Sequence, residues 1–213
     1  MAARFSYPRA VRRLILAVTV PAAAAVAIQD NLYEITPVTG TSMSPTLSPD
    51  YNLTGRCDRV LWSKVSPSAN LVRGELVTYR SPQRPDRTAV KRVVALEGDT
   101  VILDPRRRPG GVDRSSGREE ADRTQAESWD QMGPKFEVPF GHVWVEGDNW
   151  RSSNDSNNFG PISKSLIIGH APTIVYPWER MGTKPWEDRR RIGTRVVYGK
   201  QGVPPEGFRD MFE

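Results

Sequence analysis

Hydrophobic and polar positions follow two patterns along this chain. The first is continuous: Leu14 to Ile28 is fifteen residues without a charge, directly behind Arg12-Arg13. As a helix that run reaches roughly 22 Å, against the roughly 30 Å of a bilayer's hydrocarbon core. Extending the unit to residues 14–33 gives twenty residues, with Gln29, Asp30 and Asn31 at the far interface and Tyr33 as an interfacial aromatic. Pro21 would kink such a helix but is tolerated in a membrane. A cleaved secretory signal with small residues at Ala22 to Ala25, or a core helix, fits the same letters. The reading adopted is a retained transmembrane anchor over 14–33 behind a basic tail, 1–13. Its arginines keep the amino terminus on the cytoplasmic or matrix side and send the rest of the chain across.

The second pattern starts at Thr36 and is that of strands. Glu75–Tyr79, Thr88–Leu96, Thr100–Leu103, His142–Glu146 and Thr173–Tyr176 are rich in β-branched residues and bounded by Gly, Pro or Asp. No long stretch beyond residue 33 has helical periodicity. The product expected is a mainly β, mostly antiparallel, barrel-like domain over residues 34–178. Residues 104–135 break the pattern with seven acidic and seven basic side chains and few apolar ones, and are read as an exposed polar insertion. Residues 179–213, with Pro204-Pro205 and Arg189-Arg190-Arg191, are read as a charged tail.

Composition narrows the chemistry. Eighteen Pro and 17 Gly in 213 residues suit short strands and many turns rather than a bundle. One cysteine, Cys57, excludes an internal disulfide framework, and two histidines exclude a His-rich metal site. The net charge of +5 does not point to nucleic acid. Four arginines in residues 1–13 account for +4, which leaves +1 for the folded part. Any catalysis must therefore use Ser, Lys, Asp or Glu, and no cofactor is implied.

Three stretches could supply it. Gly40-Thr-Ser-Met-Ser-Pro-Thr-Leu47 sets Ser42 among small residues before a Pro turn, which suits an exposed nucleophile and an ordinary turn alike. In Thr88–Leu96 a period of two puts Lys91 on one face with Ala89 and Val93, and Arg92 on the other. A lysine there is either an edge residue in water or, if buried, an amine whose depressed pKa makes it a base near neutral pH. Beside such a base a serine hydroxyl becomes a usable nucleophile without histidine. Gly147–Ile162 is dense in short polar side chains that can hydrogen-bond their own backbone and prop neighbouring groups.

Together these stretches resemble the type I signal peptidase family. G-x-S-M-x-P-T-L matches at Gly40–Leu47, K-R-V-V-A-L-E-G-D at Lys91–Asp99, and G-D-N…S-x-D-S…F-G-P at Gly147–Pro161, with Arg73-Gly-Glu-Leu-Val77 as a shorter match between them. The resemblance implies a membrane-anchored β fold that cleaves targeting peptides with a Ser–Lys dyad. By position, Ser42 is then the nucleophile and Lys91 the general base. Ser153 would orient the lysine amine, Asp155 would brace the loop, and Asp148 belongs to the same motif. The Ser42 N–H would serve the oxyanion hole. At Gly40 this chain lacks the serine whose hydroxyl some bacterial members add to that hole.

A second departure is informative. Most members read D-S-R, and this chain has Asp155-Ser156-Asn157, so a salt-bridge role for Asp155 is not expected. D-S-N, Val138–Asn149 and Val175–Trp178 resemble the mitochondrial inner membrane branch of the family, subunit 2. That implies a single-pass inner-membrane enzyme with its catalytic domain in the intermembrane space. Its substrates would be precursor proteins carrying sorting signals, and its partner a related catalytic subunit. A bacterial-type signal peptidase, or a non-catalytic anchored scaffold, is the competing reading. A self-cleaving repressor is excluded, because residues 1–33 are too short and apolar for a DNA-binding domain.

Overall fold

The structure, a computed structural model, describes residues 8–103, 135–187 and 194–201. The polar insertion expected at 104–135 therefore lies outside the described residues except for Lys135, which opens a strand. A helix, α1 (Arg9–Asn31), leads into β1 (Tyr33–Val38), the short helix α2 (Tyr51–Thr54) and β2 (Asp58–Ser63). Then come β3 (Leu76–Arg80), β4 (Thr88–Leu96), β5 (Thr100–Ile102), β6 (Lys135–Glu137) and β7 (His142–Glu146). The four-residue helix α3 (Ser156–Phe159), β8 (Ile162–Ser163), β9 (Ile167–Tyr176) and β10 (Arg195–Val197) complete the order.

Seven strands form one sheet in the order β1-β2-β9-β3-β4-β7-β8, and β10-β5-β6 form a second. Every pairing among the described residues is antiparallel, where a mostly antiparallel domain was expected. The strand β4 is the hinge of the architecture. From Lys91 to Leu96 every residue is buried, with Val93 and Leu96 in one core and Val94 and Ala95 in another across a register shift. One core gathers Val38, Met43, Leu47, Trp62, Leu76, Ile174 and Trp186, with Val90 against it. Another gathers Val77, Tyr79, Val93, Val145 and Ile162, with Ala89 against it.

The anchor expectation is met only in part. Residues 9–31 are helical, with Pro21 inside, and each described side chain on that helix is exposed. Among the described residues, however, no helix is long and apolar enough to cross a membrane.

The carboxyl-terminal segment also departs from its reading as a charged tail. Trp186 is 4% exposed in the first core, and β10 pairs with β5. Arg73 forms a bidentate pair with Asp99 at 2.7 Å, and its guanidinium lies 4.4 Å from the Tyr198 ring centre. The Gly199 N–H donates to the same Asp99 at 2.9 Å. The described residues of this segment are thus joined to the β domain by specific partners, which composition alone does not disclose.

Candidate active site

Ser42 lies in the loop between β1 and α2. Gly40 opens this loop at φ +85°, in the left-handed region, while a Cβ there would meet nothing within 4 Å. The backbone angle, not crowding, asks for glycine. Met43 and Leu47 plug the loop into the core at 1% and 0% exposure, and the Leu47 N–H donates to the Met43 carbonyl at 2.9 Å. Two apolar anchors thereby hold a turn in which Pro45 is exposed and Thr46 buried, and Ser42 stays half-buried. Neither its hydroxyl nor its N–H has a hydrogen bond among the described residues.

Lys91 is 4% exposed on β4, opposite Val77 of β3. Arg92 faces Glu146 of β7. Continuing that register by one residue sets Lys91 beside Gly147. A Cβ on Gly147 would collide with the Ser153 hydroxyl and come within 2.6 Å of the Ser42 carbonyl oxygen. The Asn149 N–H donates to that same carbonyl at 3.0 Å. Ser42, Lys91 and Ser153, far apart in sequence, therefore converge on one glycine.

Burial drives the Lys91 amine down from 10.5 to about 8, and the charges of Asp155 and Asp148 oppose that shift. No hydrogen bond or ion pair holds this amine among the described residues. Tyr79, two residues from Val77 on the same face, is 1% exposed. Burial and the charge of Asp155 push its phenol upward, so it stays neutral.

Asp155 collects four donors. One oxygen accepts from the Gly147 N–H at 2.9 Å and from the Ser153 hydroxyl, and the other from the Asn157 N–H at 3.1 Å and its side-chain amide at 3.0 Å. Asn157 thus fills by a neutral hydrogen bond the place where an arginine was missed. Ser153 gives its one proton to Asp155, which leaves only its lone pairs to face a lysine N–H. Asp148 points elsewhere: it pairs with Arg92 at 2.6 and 2.7 Å. Arg92, 1% exposed, also donates to the carbonyls of Gly74 and Trp186 at 2.9 and 2.6 Å. That cluster fixes the start of the Gly147 loop from the opposite face of β4.

Sequence reasoning missed Tyr79, Asn157 as a donor, and Arg92. Period-two alternation put Arg92 opposite Lys91, but no local signal named its carbonyl partners. The free backbone edges also emerge only here. β7 covers β4 from Arg92 onward, so among the described residues Thr88–Lys91 has no strand on that side, and β1 ends the seven-stranded sheet.

A profile of the signal peptidase, peptidase S26 family matches residues 11–176. The mitochondrial inner membrane protease subunit 2 of Saccharomyces cerevisiae is 36% identical over 157 residues, covering 73% of this chain and 75% of that protein. Its counterpart in Schizosaccharomyces pombe is 32% identical over 179 residues, covering 83% and 82% respectively. The mouse protein of the same name is 35% identical over 156 residues, covering 73% and 74%.

Proposed function

The chain belongs to the signal peptidase family S26 and is a serine endopeptidase of that type, and on this premise we propose that Ser42 is its nucleophile and Lys91 its general base. The observation that carries the proposal is a buried amine with a pKa of about 8 on the face where Gly147, Ser153 and the Ser42 carbonyl meet.

The neutral amine takes the Ser42 proton as Oγ attacks the scissile carbonyl. The Ser42 N–H turns to the oxyanion, and the ammonium then protonates the leaving amine. Water, deprotonated by the same amine, hydrolyses the resulting ester and frees Ser42. Asp155 fixes Ser153 and the Gly147 N–H, and Asp148 with Arg92 holds the loop that brings them in.

Substrates are precursors carrying sorting signals, bound as an extended segment with small residues near the cut. Thr36–Thr39 and Thr88–Val90 offer backbone edges for such a strand. The enzyme works at the mitochondrial inner membrane beside a related catalytic subunit, as the names of its relatives suggest. The exposed apolar side chains of α1, such as Leu14, Ile15, Leu16, Val18 and Val20, attach it there. The catalytic domain then lies on the intermembrane-space side.

Precursor cleavage under kcat/KM conditions tests this reading. Below about pH 8 the amine is protonated, so the rate falls tenfold per pH unit, and it levels off above that value. A profile flat down to about pH 6, with chemistry as the slow step, would overturn the assignment of Lys91.

A further inference from the structure

We propose that Arg180 is a positioning residue for the nucleophile, acting through the base of the loop that carries Ser42. It lies outside the stretch matched by the family profile, in the segment that sequence reasoning set aside as tail.

The loop leaves β1 at Val38 and is closed again at Ser48. The Ser48 hydroxyl donates to the Val38 carbonyl at 2.6 Å and accepts from the Asp58 N–H at 3.0 Å. The Ser48 N–H donates to the Asp58 carboxylate at 2.8 Å. Ser48 and Asp58 are 1% and 2% exposed, so this closure is sheltered from competing water. Arg180 straddles it. One guanidinium nitrogen donates to the Asp58 carboxylate and the other to the Thr46 carbonyl, each at 2.6 Å.

Thr46 sits on the returning arm, four residues after Ser42, between the core plugs Met43 and Leu47. A single planar fork therefore ties that arm to the closed base. Arg180 is itself held, because its N–H donates to the Pro177 carbonyl at 3.0 Å and its carbonyl accepts the Thr183 hydroxyl at 2.6 Å. Lysine cannot reproduce the link, since one ammonium lacks the paired, fixed donors that span carboxylate and carbonyl.

This inference rests on Ser42 being the nucleophile, so the experiment separates the two. Full-length enzyme in detergent is compared as wild type, Ser42→Ala, Arg180→Ala and Arg180→Lys, with kcat and KM for precursor cleavage normalised to folded protein. Arg180→Ala should lower kcat about tenfold with KM nearly unchanged, since the substrate edges are untouched and only the attacking atom shifts. Its acid limb should stay at about 8, because Arg180 does not bear on Lys91. Arg180→Lys should restore part of kcat. If Arg180→Ala fails to fold, Arg180→Lys carries the test and must lower kcat at least about threefold. A wild-type kcat per folded molecule in the variant tested overturns the positioning role. If Ser42→Ala also cuts normally, the nucleophile assignment itself has failed.

Discussion

Replacing Lys91 by Met removes cleavage, lowering kcat/KM by at least about 10³, and at the same time makes the folded protein more stable. Both effects follow from one fact: the amine is 4% exposed and has no hydrogen bond among the described residues. The folded pKa of about 8 lies below the ordinary 10.5, so between these values the unfolded chain binds more protons and stability rises with pH. Below about pH 8 the buried ammonium carries its full penalty, on the order of 3 kcal/mol.

Methionine fills nearly the same volume without that charge. The nearby carboxylates are not left unpaired, because Asp148 keeps Arg92 and Asp155 keeps its four donors. Some gain is lost with the attraction of Asp155, so a rise of several degrees in Tm near neutral pH is expected. The stability slope between about pH 8 and 10 should flatten in the variant. Thermal unfolding of wild type and Lys91→Met at two pH values measures it. A less stable variant at pH 7 would mean that the amine is better solvated than its burial indicates.

Gly147→Ala is the second large effect. The added methyl would strike the Ser153 hydroxyl, 2.7 Å from its Cβ, and approach the Ser42 carbonyl to 2.6 Å. A side chain could rotate away, but Ser153 is committed to Asp155, and the Ser42 carbonyl is backbone held by the Asn149 N–H. Relief must come from parting the Ser42 loop from β7. That displaces the proposed nucleophile Ser42 from Lys91 on β4 and should cost at least about 100-fold in kcat. Overpacking should cost about 1–3 kcal/mol of stability as well. Turnover per folded molecule decides the matter: a loss explained wholly by unfolding would show that the site can absorb the methyl.

The three candidate stretches were legible because each is local. Ser42 in its small-residue turn, Lys91 on an apolar strand face and the polar loop after Glu146 are visible within windows of a few residues. Their convergence was not, since the β4–β7 register joins residues as distant as Arg92 and Glu146, and the Arg92–Asp148 pair spans 56 residues. The strands Glu75–Tyr79, Thr88–Leu96 and His142–Glu146 came through nearly whole, being β-branched and bounded by turn residues. β1, β2 and β10 escaped notice. Tyr33–Val38 contains a proline, Asp58–Ser63 carries charges, and Arg195–Val197 is only three residues long. Arg180 and Trp186 lay in a segment whose composition resembles solvent-exposed chain, and composition is blind to which few residues find partners.

The sheet order also bears on when the enzyme becomes active. β9 is the last strand of the seven-stranded sheet to be made, yet it sits between β2 and β3. Within the sheet, the hairpin flanking Ser42 and the hairpin bearing Lys91 are joined through this late arrival, besides the core that Met43 and Leu47 share with Leu76. Pairings of such long sequence separation form slowly. A chain that lacks β9 thus holds the proposed nucleophile and base without the strand that joins their hairpins. Alignment of Ser42 with Lys91 across the sheet is therefore expected only once residues through 176 are in place, since β9 completes that sheet.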